Sequence, residues 1–235
     1  MTTGGRSASS AAGNPLFLEQ LLKNVAESAE ALVPGSIQSL VLARMDRLAP
    51  VDKRALQAAS VFGQRFSLAA LRHLTGSPGY VPAELLRHQL IRPEGRDLLF
   101  AHALVRDGIY ESILSAPRVR LHLKAGEWFA TTGPVLHAGH LELAGDARAP
   151  RAYLQAARAE MAGYRSERAI ALLTKGQASA QEPADLVKLA LTLGEAQHDA
   201  GALGEAGAAL KEVLTVDRGP GRHRALPCLD RPGRG

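Results

Sequence analysis

The chain has 235 residues, 46% of them apolar and 22% charged, with a formal net charge of +5. That balance disfavours wholesale disorder and leaves room for one large domain or two small ones with real cores. Aromatic residues make up only 4% of the chain, and Ala and Leu dominate the apolar set, which points to helices packed through small residues.

The lone cysteine, Cys228, supports neither a disulfide framework nor a thiolate metal site and fits a reducing cytoplasm. No run reaches the roughly 18 apolar residues needed to span a bilayer, and the opening MTTGGRSASSAAG lacks the apolar core of a signal peptide. A soluble cytoplasmic protein without membrane contact is expected. The charge is uneven: from Asp217 onward there are five Arg against two Asp, which accounts for +3 of the +5. The rest is close to neutral, so the basic total speaks of solubility and non-specific contact more than of nucleic-acid binding.

In chain order, residues 1–12 read as a flexible leader, and a first helix over about 15–30 places Leu16, Phe17, Leu21, Leu22 and Val25 at helical spacing. After Pro34-Gly35, Ser36 is a plausible N-cap for a helix with Ile37, Leu40, Val41, Met45 and Leu48 on one face. A helix follows from about Pro50 to Phe62, ending at Gly63. Ser67 then caps a short helix carrying Leu68, Leu71 and Leu74, which Gly76 terminates. The next stretch predicts a short helix over 82–89, a strand Leu90–Arg92, a turn over Pro93–Arg96 and a strand Leu98–Phe100. Three short helices and a β-hairpin is the order of a winged helix. HALVRDGIYESIL is helical again, and Pro117 opens another helix through Phe129.

From about residue 136 the chain turns into Ala-rich helical hairpins. In GEAQHDAGALGEAGAALKEVL, Leu193-Gly194, Gly201, Ala206 and Leu210 stand where a tetratricopeptide repeat puts its packing residues, and Gly163-Tyr164 and Ala169 echo that set one unit earlier. Such repeats need about three neighbours to bury a continuous core, so the array looks cut short. The tail 217–235 has no helical period and reads as disordered; its abrupt change of composition is what a reading-frame shift would produce. The expected fold is mainly α: a winged-helix domain with a small β-hairpin, then tetratricopeptide-like antiparallel helix pairs.

GNPLFLEQLL, VPGSIQSLVLARMDRLAPVDKRALQAASVFGQRFSLAALRHLTG, LLFAHALVRDGIYESIL, Arg118 with His122, and HLELAGD together resemble the post-ATPase region of bacterial STAND-type ATPases. In that family an AAA-like nucleotide-binding domain precedes a helical lid, a winged helix and a tetratricopeptide array, often fused to a class III adenylate cyclase or a LuxR-type domain. The resemblance implies a leader at 1–12, a lid remnant at 13–33, a winged helix at 34–132, repeats at 133–216 and a tail at 217–235. It also implies two nucleotide-sensor positions, Pro15 in GNP near an adenine and His102 in FAHALVRD near the β-phosphate of ADP. Both would act only with an ATPase domain that this chain lacks. It has no GxxxxGK[ST] loop and no apolar strand ending in paired acids, so no cofactor, ATP hydrolysis or catalytic residue is expected within it. Bland alternatives stand beside these: Pro15 as an ordinary N1 proline, His102 as a helix cap or core hydrogen-bonded residue.

Other constellations weigh less. His137 and His140 have the i, i+3 spacing of a zinc pair with Glu142 nearby, but no third ligand, and a packed or solvent-facing pair is preferred. His122 with Arg118 is expected to make structural hydrogen bonds between winged helix and array. Ser36, Ser60 and Ser67 lack a nucleophile elbow. Arg87, His88, Arg92 and Arg96 could touch DNA phosphates, but Glu84, Glu94 and Asp97 share that segment. The expected role is therefore a non-catalytic regulatory fragment that binds a protein partner through its repeats. The alternatives are a winged-helix DNA-binding regulator, or an enzymatic function that belongs only to an ATPase or adenylate cyclase parent.

Overall fold

The computed structural model describes residues 43–202 and residue 204. The leader, the lid helix with Pro15, the Ser36 cap, Ala206, Leu210 and the tail with Cys228 lie outside the described residues. Within them the fold is mainly helical with one small sheet.

The first unit opens on the end of a helix at residues 43–45, where Met45 is buried at the position its spacing predicts. Helix α1 (Pro50–Ser60) follows, with proline in its first turn, where a missing N–H costs nothing. Gly63, at φ +98°, ends the turn after it. Strand β1 (Arg65–Ser67) leads directly into α2 (Leu68–Thr75), whose first turn is capped by the Ser67 hydroxyl accepting from the Ala70 N–H at 3.1 Å. Gly76 closes α2 in the left-handed region at φ +65°. Both caps are those the sequence predicts. Helix α3 (Ala83–Arg87) is shorter than predicted, and the chain leaves it through Gln89 at φ +52°.

The sheet differs from expectation in two ways. The hairpin β2 (Ile91–Glu94) and β3 (Asp97–Phe100) turns over Gly95-Arg96 alone, so Pro93 and Glu94 belong to the strand. Gly95, at φ +62°, takes the positive φ that a two-residue hairpin asks of its first loop residue. The sheet also has a third strand, because β1 pairs antiparallel with β3, Phe66 opposite Leu98, which gives the order β1-β3-β2. Pro93 needs no N–H on an edge strand. Phe66, Ile91, Leu98 and Phe100 point inward onto Leu56, Leu71 and Leu85, and two helices close the unit. These are α4 (Ala103–Glu111) and α5 (Ser115–Phe129). Helix α5 starts two residues before Pro117, which then sits in a first turn that tolerates it.

Helices α6 (Pro134–Leu143), α7 (Ala149–Ala162), α8 (Ser166–Ser179) and α9 (Pro183–Asp199) form the second unit. Each packs on the next, and α7 also touches α9. Its core is made of Ala156, Ala157, Ala169, Leu173, Leu189 and Ala196, with Tyr153 as its largest side chain. Small residues let the backbones approach closely. At Gly176 on α8, an added Cβ would lie 2.7 Å from Leu189 Cδ2 and 3.1 Å from Tyr153 Cβ. The buried Asp185 carboxylate on α9 ties back to Arg151 on α7 at 3.0 and 3.1 Å.

Two glycines on helices therefore differ in kind. Gly176→Val is expected to destabilise by about 2–3 kcal/mol through overpacking. Gly139→Ala on α6, whose Cβ would meet only the Tyr153 hydroxyl at 3.9 Å, should gain about 0.5–1 kcal/mol from reduced chain entropy. Urea unfolding of both variants checks the contrast.

Candidate functional site

Where the two units meet, three successive helices bring together a group of aromatic and basic side chains. Helix α4 supplies Tyr110, α5 supplies Arg118, His122 and Gly126, and α6 supplies His137 and His140. Arg118 and His122 are one helical turn apart and so share a face, the one turned to α4. Gly126, one turn further on, lies against α6: an added Cβ there would be in ordinary contact, 3.4 Å from Leu141 Cδ2 and 3.7 Å from the His137 carbonyl oxygen.

The geometry is a continuous polar chain inside an aromatic box. The Tyr110 hydroxyl lies 2.9 Å from His122 Nε2, and His122 Nδ1 lies 3.0 Å from His140 Nδ1. One imidazole of the pair must donate and the other accept, so a single proton sits between two neutral rings. Exposure of His122 is 1% and of His140 7%. The His140 ring stacks on Phe129 at 5.7 Å and meets Phe62 edge-on at 6.1 Å, so a side chain of α6 is lodged among aromatics of the first unit. His137 points elsewhere, its Nδ1 donating to the Gly126 carbonyl at 2.7 Å.

Cations frame the chain. The Arg106 and Arg118 guanidiniums lie 4.8 and 4.7 Å from the Tyr110 ring centre. Arg106 also donates to the Ser60 carbonyl at 2.8 Å and Arg118 to that of Ile113 at 2.7 Å. Burial first, then the neighbouring His140, Arg118 and Arg106, pushes His122 down to about 4. Burial and His137 push His140 down to about 4 as well. Both rings are therefore neutral at physiological pH. The assembly sets the Tyr110 hydroxyl against a neutral imidazole, and no group of three or more His, Cys, Asp or Glu able to hold a metal ion occurs among the described residues. Its chemistry is that of a buried hydrogen-bonded joint that resists protonation.

The residues predicted from sequence fall differently. Pro15 lies outside the described residues. His102 occupies the N-cap position of α4 with extended backbone, half-buried, and its side chain makes no capping hydrogen bond. The structure does not join it to the histidine chain. His137 and His140 share a helix but turn to different partners, and Glu142 accepts from the Tyr153 hydroxyl at 2.5 Å instead of facing them. His122 bridges the two units through its bond to His140, while Arg118 bonds within the first unit, to the Ile113 carbonyl. The one-turn spacing of Arg118 and His122 was the available signal, and the eighteen-residue reach from His122 to His140 was not.

On the hairpin side, Arg87 pairs with Glu84 at 2.5 Å and Arg65 with Asp97 at 2.8 Å, while Arg92 reaches Glu94 only at 3.9 Å. No helix among the described residues is long and apolar enough to cross a membrane.

No family model matches the chain, and no curated protein does. A solved structure, the Signal Transduction ATPase with Numerous Domains (STAND) protein with a tetratricopeptide repeat sensor from Pyrococcus horikoshii, aligns over 88% of this chain and 39% of its own length, at 18% identity and a TM-score of 0.36. The chain thus spans about two fifths of that protein.

Two predictions follow from the joint. His122→Ala strands the Tyr110 hydroxyl and His140 Nδ1 in a dry site and leaves a cavity, so it should cost about 3 kcal/mol; His102→Ala should change stability by less than about 0.5 kcal/mol. Denaturant titrations measure both. In acid, the unfolded chain binds protons at these histidines below its ordinary value near 6.5, whereas the folded chain does not until about 4. Their stabilising contribution is therefore whole above pH 6.5 and is lost as pH falls from 6.5 toward 4. Thermal melts across that window should show the loss in the native protein and a shallower slope in His122→Phe.

Proposed function

We propose that this chain serves as a regulatory and protein-interaction region of a STAND-type ATP-binding signalling protein and carries no catalysis of its own. In this reading α1 to α3 and the β1-β3-β2 sheet are a winged helix, and α6 to α9 are tetratricopeptide-like pairs that offer a protein partner a grooved face. The observation that carries it is the contact of α7 with α9 as well as with α8. α7 and α9, two apart in sequence, pack side by side, as alternate helices do in a one-directional stack that leaves such a groove.

His102 fits the sensor role that the resemblance implies, because its imidazole is not used by the helix it begins. Brought against ADP by an ATPase domain, it would donate to phosphate oxygen and favour the closed state; exchange for ATP would release it. Pro15 keeps the adenine-side role by the same resemblance. Against DNA recognition stands the pairing of hairpin-side cations with Glu84, Glu94 and Asp97, which leaves little net charge on that surface.

Titration of the full chain with ATP or ADP and magnesium should show no saturable binding tighter than roughly millimolar. A DNA mobility shift should be weak, steep in salt and lost on deleting residues 217–235. Micromolar nucleotide affinity, or sequence-specific DNA binding that survives the deletion, would overturn this reading. An upstream P-loop reading frame in the adjoining DNA would support it.

A further inference from the structure

Away from the histidine joint, the first unit carries a half-open cavity of about 340 Å³ between α1, α5 and the loop that follows α2. Its lining comes from helical spacing. Val51, Arg54 and Ala58 lie three and four residues apart on α1, and Pro117, Leu121 and Lys124 do the same on α5, so each helix turns one mixed face to the gap. The floor is apolar, with Ala58, Leu74, Ile113 and Leu121. The rim is cationic, with Arg54 on one wall and Arg120 and Lys124, one helical turn apart, on the other.

Three observations separate this rim from an ordinary solvated surface. No carboxylate lines the cavity. Arg54 and Arg120 are exposed and form neither a salt bridge nor a side-chain hydrogen bond among the described residues, a state they share with Arg96, Arg158 and Arg168, but they alone of these converge with a lysine on one cavity. Lys124 donates only to the Leu74 carbonyl, at 3.2 Å. The buried Asp52 on α1 is turned to the Tyr80 hydroxyl at 2.7 Å. Burial and that bond hold the Tyr80 phenol protonated well above its usual range, so the ring that lines the cavity adds no negative charge. The volume is at the low end of small-molecule pockets, large enough for a short hydrocarbon body but not for a folded partner.

We propose that this cavity is a binding site for a small organic anion, a carboxylate or phosphate monoester whose short apolar body sits against Leu74, Ile113 and Leu121 while its head group meets Arg54, Arg120 and Lys124. Neither half suffices alone: the guanidiniums supply charge-assisted, forked donors, and the floor supplies apolar burial. The site is independent of the nucleotide-sensor role of His102 and of the groove on the repeats.

The full chain is titrated with hexyl phosphate and hexanoate, with inorganic phosphate and hexan-1-ol as controls that each keep one half of the chemistry. Trp128 is the sole tryptophan, one turn beyond Lys124 and 5.3 Å from the His73 ring, and reports affinity by fluorescence. Amide shifts report location. At least one amphiphile should bind saturably, with Kd on the order of 1 mM or below, and each control about tenfold more weakly. Whichever head group binds better names the natural chemistry. The double variant Arg54→Ala/Arg120→Ala, both positions being exposed, should weaken binding at least about tenfold without changing the melt. Absence of saturation up to about 10 mM, equal binding of hexan-1-ol, shifts spread away from Ala58, Leu74 and Lys124, or unchanged affinity in the double variant would each overturn the proposal.

Discussion

The arrangement of the two units depends on two imidazoles being kept neutral in a place where neither has water to fall back on. His122 and His140 satisfy each other through a single shared proton, and the Tyr110 hydroxyl completes the first ring. An apolar seam between α5 and α6 would tolerate sliding by a fraction of a turn, because dispersion contacts are numerous and interchangeable. A directional bond at 3.0 Å does not. The register of the second unit on the first is therefore set by polar geometry, and the apolar cores on either side follow it. The flanking guanidiniums of Arg106 and Arg118 reinforce this, since they make a protonated His122 still less favourable.

Much of the local structure is legible in the sequence, because it rests on short-range chemistry. Pro50 at a helix start, Ser67 as an N-cap and Gly76 as a left-handed terminator act within one turn of themselves, and each is found doing so. The strand β1 is not legible. Three residues, the last of them the capping serine, carry no alternation to read, and only the partner strand, about 32 residues on, makes Arg65–Ser67 a strand. The hairpin turn is tighter than Pro93 and Glu94 suggest for the same reason: an edge strand can absorb a proline that lacks a donor.

The joint shows the same division between near and far. Arg118 and His122 are recognisable as a pair because helical periodicity places them together. Pairing His137 with His140 by spacing alone gives the wrong partners, since i, i+3 neighbours that face one helix can bond to different turns of it. His137 turns to the Gly126 carbonyl and His140 crosses to His122. No count of histidines along the chain contains that information.

A joint of this kind also limits how motion can pass between the units. Moving the second unit relative to the first means withdrawing His140 from between Phe62 and Phe129 and leaving His122 with one nitrogen unpaired in a dry site. The penalty for a stranded buried polar atom is about 1–3 kcal/mol, before the aromatic contacts are counted. Small displacements are therefore resisted and intermediate positions gain nothing, so the interface favours discrete arrangements over a continuous hinge. A ligand or neighbouring domain that shifts this equilibrium must supply differential binding energy of at least that size. Until it does, the arrangement with His140 held between Phe62 and Phe129 and bonded to His122 is favoured by that margin.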